Sequence, residues 1–338
     1  MGGLFAVIIT RTPFRISFFG GGTDYPVWYK ENGGKVLSTS INKYCYISCR
    51  YLPPFFEYKY RIRYSNTETT NTISEIQHPS VRSCLDFLNI SKGVEIVHTA
   101  DIPALSGMGS SSAFTVGLLH SLYALKGKIA TKRQLAREAI HVEQNIIIEN
   151  VGSQDQVAAT FGGFNKIEFG CDKDFYVYPM TLSNGKIDVL QKHLMLFFTG
   201  FSRNASDIAA EQIKITNKKI NELKTMMEMV DEAIDILNKE SHDLDDFGKL
   251  LHESWKLKRG LTKLISTSEI DEIYSTAINA GALGGKLLGA GGGGFILFYA
   301  TPEVQPFIKE KLKTILHVPF QFETLGSQII MYATQDFY

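Results

Sequence analysis

The sequence of 338 residues is short of the features that commit a chain to a special environment. Its four cysteines, Cys45, Cys49, Cys84 and Cys171, form no C-x-x-C pair and no Cys/His cluster at zinc spacing, which argues against a disulfide scaffold and a zinc ribbon. Cys45 and Cys49 stand four residues apart in strand-like sequence, so they share a face. They read as small buried thiols in a reducing compartment. No apolar run approaches the roughly 20 residues of a membrane span. The apolar run 4–9 has no basic stretch before it and no cleavage site after it, so no secretory signal is expected. Ala6 stands where N-myristoylation needs Ser or Thr. Charge of one sign is also missing, with Lys plus Arg at 35 and Asp plus Glu at 35. That balance leaves no electrostatic footprint for nucleic acid or an anionic membrane. The sequence therefore predicts a cytoplasmic protein with neither partner, in which any anion site is a local cluster.

What is present is globular. Hydrophobic residues make up 44% and charged residues 21%, close to ordinary domains, and the length allows two domains with a sizeable core. Residues 5–9, 14–19, 35–40, 44–51, 58–64 and 94–102 read as strands, the second ending at three consecutive glycines. A helix is expected over 111–125. A second, opened by the Thr131/Gln134 capping box, runs to about 149. Residues 164–169, 175–178 and 194–199 read as strands again. The second half is mostly helical: 204–239, 247–265, then a helix to 280 behind a Ser266/Glu269 capping box. Strands over 286–288 and 295–299, a helix starting at Pro302 and a last strand over 328–334 complete a split βαβ order. The expected fold is α+β, with domains 1–190 and 191–338, the second ferredoxin-like.

The most informative segment joins a strand to a helix: Pro103-Ala104-Leu105-Ser106-Gly107-Met108-Gly109-Ser110-Ser111-Ser112-Ala113. Gly107 and Gly109 permit positive φ and close approach of backbone N–H groups to a ligand. Three serines occupy a helix start, where unpaired N–H groups and the positive dipole end favour an anion. A serine hydroxyl there can also reach a Mg²⁺ carried by phosphates. The ordinary alternative is a serine-capped helix after a glycine turn. The segment is no Walker A loop, because no Gly-Lys pair is followed by Ser or Thr, and no Rossmann fingerprint, because Ser112 stands at the third glycine. Asp246-Phe247-Gly248 spells a protein-kinase motif, but it lies in helical sequence without an H-R-D and is read as coincidence.

Two carboxylates and an arginine stand out. Glu143 lies beside the stripe Leu135, Ala139, Val142 and Ile146. A carboxylate there needs a metal, a salt bridge or a proton. Asp155, in Gly152-Ser153-Gln154-Asp155-Gln156, reads as a loop carboxylate that can point into a cleft or simply close a turn. Arg15 sits among residues that want burial, in Pro13-Phe14-Arg15-Ile16, and a half-buried arginine usually serves an anion or a carboxylate. In Gly20-Gly21-Gly22-Thr23-Asp24-Tyr25, Thr23 and Asp24 suit sugar hydroxyls, or an Asx turn. Residues 281–285 and 289–294 hold eight glycines among eleven positions, far more than a hairpin needs. A backbone is expected to pass close to something there, the phosphate loop being the candidate.

Residues 13–25, 103–113 and 281–294, in that order, resemble the three motifs of the galactokinase, homoserine kinase, mevalonate kinase and phosphomevalonate kinase superfamily. Met108 replaces a leucine and Ser112 an alanine of the family pattern. The resemblance implies a two-domain fold, S5-like then ferredoxin-like, and ATP with Mg²⁺ as cofactors. It implies ATP binding by Gly107, Met108, Gly109, Ser110, Ser111 and Ser112, metal contact by Ser111 and Glu143, with Glu149 as the alternative carboxylate, and catalysis by Asp155 and Arg15. Phe18-Phe19-Gly20-Gly21-Gly22-Thr23-Asp24-Tyr25-Pro26 is similar to the D-glycero-D-manno-heptose 7-phosphate kinases of that superfamily. That likeness implies phosphorylation of the anomeric hydroxyl to the 1,7-bisphosphate, toward GDP-heptose for surface polysaccharide, with Gly22, Thr23, Asp24 and Tyr25 at the sugar. The rivals are a kinase of the same superfamily acting on galactose, fucose or mevalonate, and a non-catalytic sensor of ATP and sugar. A phosphosugar needs its own cationic cluster, and Arg203, after a buried strand and Thr199-Gly200, is the favoured member among Lys30, Lys43, Arg50, Arg61, Arg63 and Arg82.

Overall fold

The computed structural model describes residues 5–172, 174–201, 205–239 and 243–335. The chain opens with β1 (Phe5–Phe19), α1 (Pro26–Asn32) and β2 (Gly34–Tyr51). The two strands expected at each end of this hairpin are single long strands, and what separates their halves is irregular register. The β1–β2 pairing slips between Pro13 and Phe14 and again between Ser17 and Phe19. Pro13 has no N–H for the ladder, so a bulge there bends the strand instead of ending it. The strands β3 (Tyr60–Arg63) and β4 (Thr67–Thr70), helix α2 (Pro79–Phe87) and β5 (Val94–Ala100) follow. Then come α3 (Ser110–Leu125), α4 (Lys132–His141), α5 (Gln154–Phe161), β6 (Phe164–Phe169) and β7 (Phe175–Pro179).

The rest of the chain runs α6 (Asn184–His193), β8 (Leu194–Phe198), α7 (Ala205–Ile215), α8 (Ile220–Asn238), α9 (Asp245–Arg259), α10 (Ser268–Asn279), β9 (Gly284–Leu287), β10 (Phe295–Tyr299), α11 (Gln305–Lys311), β11 (Leu316–His317), β12 (Phe322–Glu323) and β13 (Gln328–Gln335). The expected helix over 204–239 is thus two helices separated by a 3₁₀ turn, Thr216–Lys218. The cap of α10 is Thr267, whose hydroxyl accepts from Ile270, and not Ser266. Pro306, not Pro302, stands in the first turn of α11.

Two sheets organise the core. The second is β11-β8-β10-β9, antiparallel throughout, which is the ferredoxin order. The first has nine strands along β13-β1-β2-β5-β3-β4, with β6 and β12 also on β2 and β7 on β6. This corrects the placement of the last strand. Residues 328–334 do not finish the ferredoxin sheet; β13 pairs with β1 from Phe5 to Arg11, and the short β11 takes the ferredoxin position. The domain assignment 191–338 therefore returns its final strands to the first sheet. Helix α3 lies on β1 and β2 and is buried on nearly every face, which is why it is apolar all round. Gly117 brings it so near the sheet that Thr10 donates to its carbonyl at 3.0 Å. Cys45, Cys49 and Cys84 are free and buried, and burial pushes the Cys49 thiol up to about 12. No helix among the described residues is long and apolar enough to cross a membrane.

Candidate active site

The loop between β5 and α3 is shaped by glycine. Gly107 and Gly109 have φ of 77° and 74°, a region costly for residues with a Cβ. Gly109 is the N-cap of α3 and no side chain caps the helix, so its first-turn N–H groups can serve an anion. The expected close approach is found. A Cβ on Gly289 would stand 2.5 Å from the Cα of Gly107, and one on Gly294 2.2 Å from the carbonyl oxygen of Ser106. Phe295 also donates its N–H to that carbonyl at 3.2 Å. The glycine-rich turn between β9 and β10 thus presses backbone on backbone against the loop.

Arg15 reaches the same loop from β1. Its Nη1 donates to the Gly107 carbonyl at 2.8 Å. Its Nε and Nη2 donate to the two oxygens of Asp155 at 2.7 and 2.8 Å, a bidentate pair with side-chain exposures of 4% and 17%. Asp155 is not on a loop, as expected from the sequence, but in the first turn of α5. Asp24 is buried beside it, accepting from the N–H of Gly22 at 2.9 Å and of Gln154 at 3.3 Å. Gly152 lets this happen, since a Cβ there would fall 1.9 Å from Asp24 Oδ2. Burial, and then the charge of Asp155, raise the Asp24 carboxyl above its ordinary range.

Glu143 is also buried. The helix that should carry it to about 149 ends at His141, and Glu143 lies in a π-helical turn, Val142–Ile146. Ser112 donates to its Oε2 at 2.8 Å and Gln156 donates to the same oxygen. Burial raises its carboxyl to about 7, against weaker lowering by the nearby Thr115 hydroxyl and by these two donors, and Oε1 makes no hydrogen bond of good geometry. Glu149, Ser110 and Ser111 by contrast face a cleft of about 970 Å³, open solvent included, with Arg15, Asp24 and Asp155.

Residues 76–163 match the GHMP kinases N terminal domain and residues 200–317 the GHMP kinases C terminal. The D-glycero-alpha-D-manno-heptose 7-phosphate kinase of Campylobacter jejuni is 31% identical over 313 residues, 87% of this chain and 90% of that one. The chain belongs to the GHMP kinases. Two solved structures share the fold: a D-glycero-D-manno-heptose 1-phosphate kinase from Bacteroides thetaiotaomicron (TM-score 0.77, 23% identity, 98% of this chain and 99% of that one) and a putative sugar kinase from Campylobacter jejuni (TM-score 0.69, 23% identity, 97% and 98%). The protein is accordingly a sugar kinase, a phosphotransferase with an alcohol group as acceptor and ATP as donor.

In this GHMP kinase the cleft brings together Arg15, Gly22, Asp24, Tyr25, Gly107, Gly109, Ser110, Ser111 and Asp155. It does not expose Met108, whose carbonyl accepts from the Arg15 N–H at 3.2 Å. Nor does it expose Ser112, or Thr23, whose hydroxyl donates to Gly20 and Lys35 carbonyls at 2.7 and 2.9 Å and pins the turn. Arg203 lies outside the described residues. The sequence reading missed Lys258, Lys286 and Gln212, which all line the cleft from the second half of the chain. A signal for Lys258 was present: it continues the buried stripe Phe247, Leu251, Ser254 of α9, spaced four, three and four.

Proposed function

We propose that this kinase transfers the γ-phosphoryl group of ATP to the anomeric hydroxyl of D-glycero-D-manno-heptose 7-phosphate, giving the 1,7-bisphosphate on a route to GDP-heptose for surface polysaccharide. The carrying observation is the Arg15–Asp155 pair set between the glycine-serine cradle and Asp24. The N–H groups of the loop and of the α3 start hold the phosphates. Asp155 gives both oxygens to Arg15, yet each keeps a lone pair for a sugar hydroxyl. It orients that hydroxyl and takes its proton as the oxygen attacks phosphorus in line. An anomeric hydroxyl is more acidic than an ordinary alcohol, so a carboxylate is an adequate base. Arg15 supports the charge that gathers near the transferred group. Asp24, Gly22 and Tyr25 form the sugar side of the cleft. The substrate assignment draws on the heptose 7-phosphate kinase relative.

The residues present fit a Mg²⁺ arriving with the nucleotide. Ser111 offers a hydroxyl at the helix start, and Glu143 Oε1 is a buried oxygen with no hydrogen bond of good geometry; hard oxygen ligands suit this ion. When bound, Mg²⁺ neutralises charge on the phosphate oxygens. Glu149, on the cleft wall, is the competing carboxylate.

An acceptor panel tests the assignment. With ATP, heptose 7-phosphate is expected to exceed heptose, mannose, galactose and fucose in kcat/KM by at least about tenfold, the effect of one charged contact. If galactose or fucose is best, the heptose reading fails.

A further inference from the structure

Lys258, on α9, and Lys286, on β9, are 6% and 2% exposed. Both line the cleft. Neither forms an ion pair with a carboxylate among the described residues. Lys258 donates to the carbonyls of Leu287, at 3.2 Å, and Gly289. Lys286 donates to the carbonyl of Phe18 at 2.6 Å. An ammonium group has three donors, so Lys258 keeps one and Lys286 two beyond these bonds. Buried charges are normally paired, because unpaired burial is costly. The nearby carboxylates are already engaged, Asp155 by Arg15 and Asp24 by two backbone N–H groups. With Arg15, three basic side chains therefore line one cleft, a local cluster in a chain of zero formal net charge.

We propose that Lys258 and Lys286 form a second anion cradle, beside the glycine-serine loop in the same cleft, whose occupant is a phosphoryl group. Its placement gives the reason. Lys258 holds the carbonyl of Gly289, the residue pressed against Gly107, so the cradle is braced on the same backbone that shapes the phosphate loop. Burial first, then the charge of Arg15, lowers Lys258 to about 8. Burial, then the charges of Lys258 and Arg15, hold Lys286 well below its ordinary value. An arriving dianion offsets both effects. Two phosphates enter this site, the γ-phosphoryl of ATP and the phosphate on the acceptor. The acceptor alternative rests on the heptose 7-phosphate reading; the nucleotide alternative does not.

The test uses Lys258→Met, Lys286→Met and Lys258→Gln in the full chain, the last keeping a donor for the two carbonyls without the charge. Calorimetry with ATP and with ADP, without acceptor, forms one arm. Steady-state kinetics with heptose 7-phosphate and with unphosphorylated heptose forms the other. If the γ-phosphoryl is the occupant, ATP affinity falls by about ten- to a hundredfold, the worth of a charged hydrogen bond, while ADP affinity holds. If the acceptor phosphate is the occupant, nucleotide affinities hold and the preference for the phosphorylated sugar collapses by a similar factor through KM. A folded Lys258→Gln and Lys286→Met that change neither comparison overturn the cradle and leave the lysines as braces of the glycine turn. Wild-type protein with no preference for the phosphorylated sugar defeats the heptose reading alone, and the ATP/ADP arm still decides the lysines.

Discussion

Asp155 and Glu143 are both carboxylates near the phosphate loop, yet their surroundings give them opposite tasks. Asp155 is held by a guanidinium and opens to the cleft. Asp155→Asn keeps the shape and removes the charge. ATP binding should persist while turnover falls by about two to four orders of magnitude, the range of a lost acid-base group. Rates measured beside calorimetry check this, and turnover close to wild type removes Asp155 from the chemistry. Glu143 instead sits dry, with its carboxyl raised from the ordinary 4.5 to about 7. Between these values the folded state holds a proton that the unfolded state has released. Stability is therefore full below about 4.5 and is lost as pH rises to about 7. The loss is at most about 3 kcal/mol for a shift of this size. Glu143→Gln should flatten the profile, melting a few degrees above wild type at pH 8 and close to it at pH 4.5. The same substitution should raise the Mg²⁺ needed for half-maximal rate. A Mg²⁺ curve unchanged in Glu143→Gln but shifted in Glu149→Gln transfers the metal contact to Glu149.

At the scale of elements, the site is a junction of turns more than a property of any one helix. Gly289 and Gly127 both have positive φ, 71° and 66°. A Cβ at Gly127 meets nothing within 4 Å, whereas at Gly289 it collides with Gly107. Each alanine substitution bears the left-handed cost of about 1 kcal/mol, but only Gly289→Ala also displaces the phosphate loop. ATP affinity should drop markedly in Gly289→Ala and stay unchanged in Gly127→Ala, as measured by calorimetry. Equal affinities would mean that the glycine turn does not shape the cradle. Helix α5 makes a related point. Gly152 and Ser153 dock on Asp24, the Ser153 N–H meeting its carbonyl at 3.0 Å, and the helix then starts in time to aim Asp155 at Arg15. Read as sequence, glycine followed by polar residues suggests a loop, because nothing local announces that a distant aspartate receives these N–H groups.

Across the whole molecule, the C-terminal strand ties the end of the chain to its beginning. β13 covers the outer edge of β1. Ser327, just before it, meets Thr12 at 2.9 Å and His120 at 3.0 Å. Removing residues 328–338 leaves β1 as an open edge, a template for aggregation. The truncated chain should melt several degrees lower, with faster hydrogen exchange at the amides of β1 and unchanged exchange in β8 and β10. Exchange that rises in β8 and β10 instead would assign the strand to the ferredoxin sheet.

The motifs were legible because they are local: positive-φ glycines and a serine-rich helix start each follow from backbone rules a few residues long. Legible in the residues themselves were the glycine-serine loop at a helix start, the close passage of the glycine-rich turn and the family to which the chain belongs. Contacts distant in the chain decide which sheet receives β13, that Asp155 begins a helix, that Glu143 lies behind Ser112 instead of on the cleft wall, and that two lysines from the second half line the cleft. A strand's partner and a buried charge's neighbour are both set by contacts between residues far apart in the chain, and the free energy of those contacts is written in no single segment.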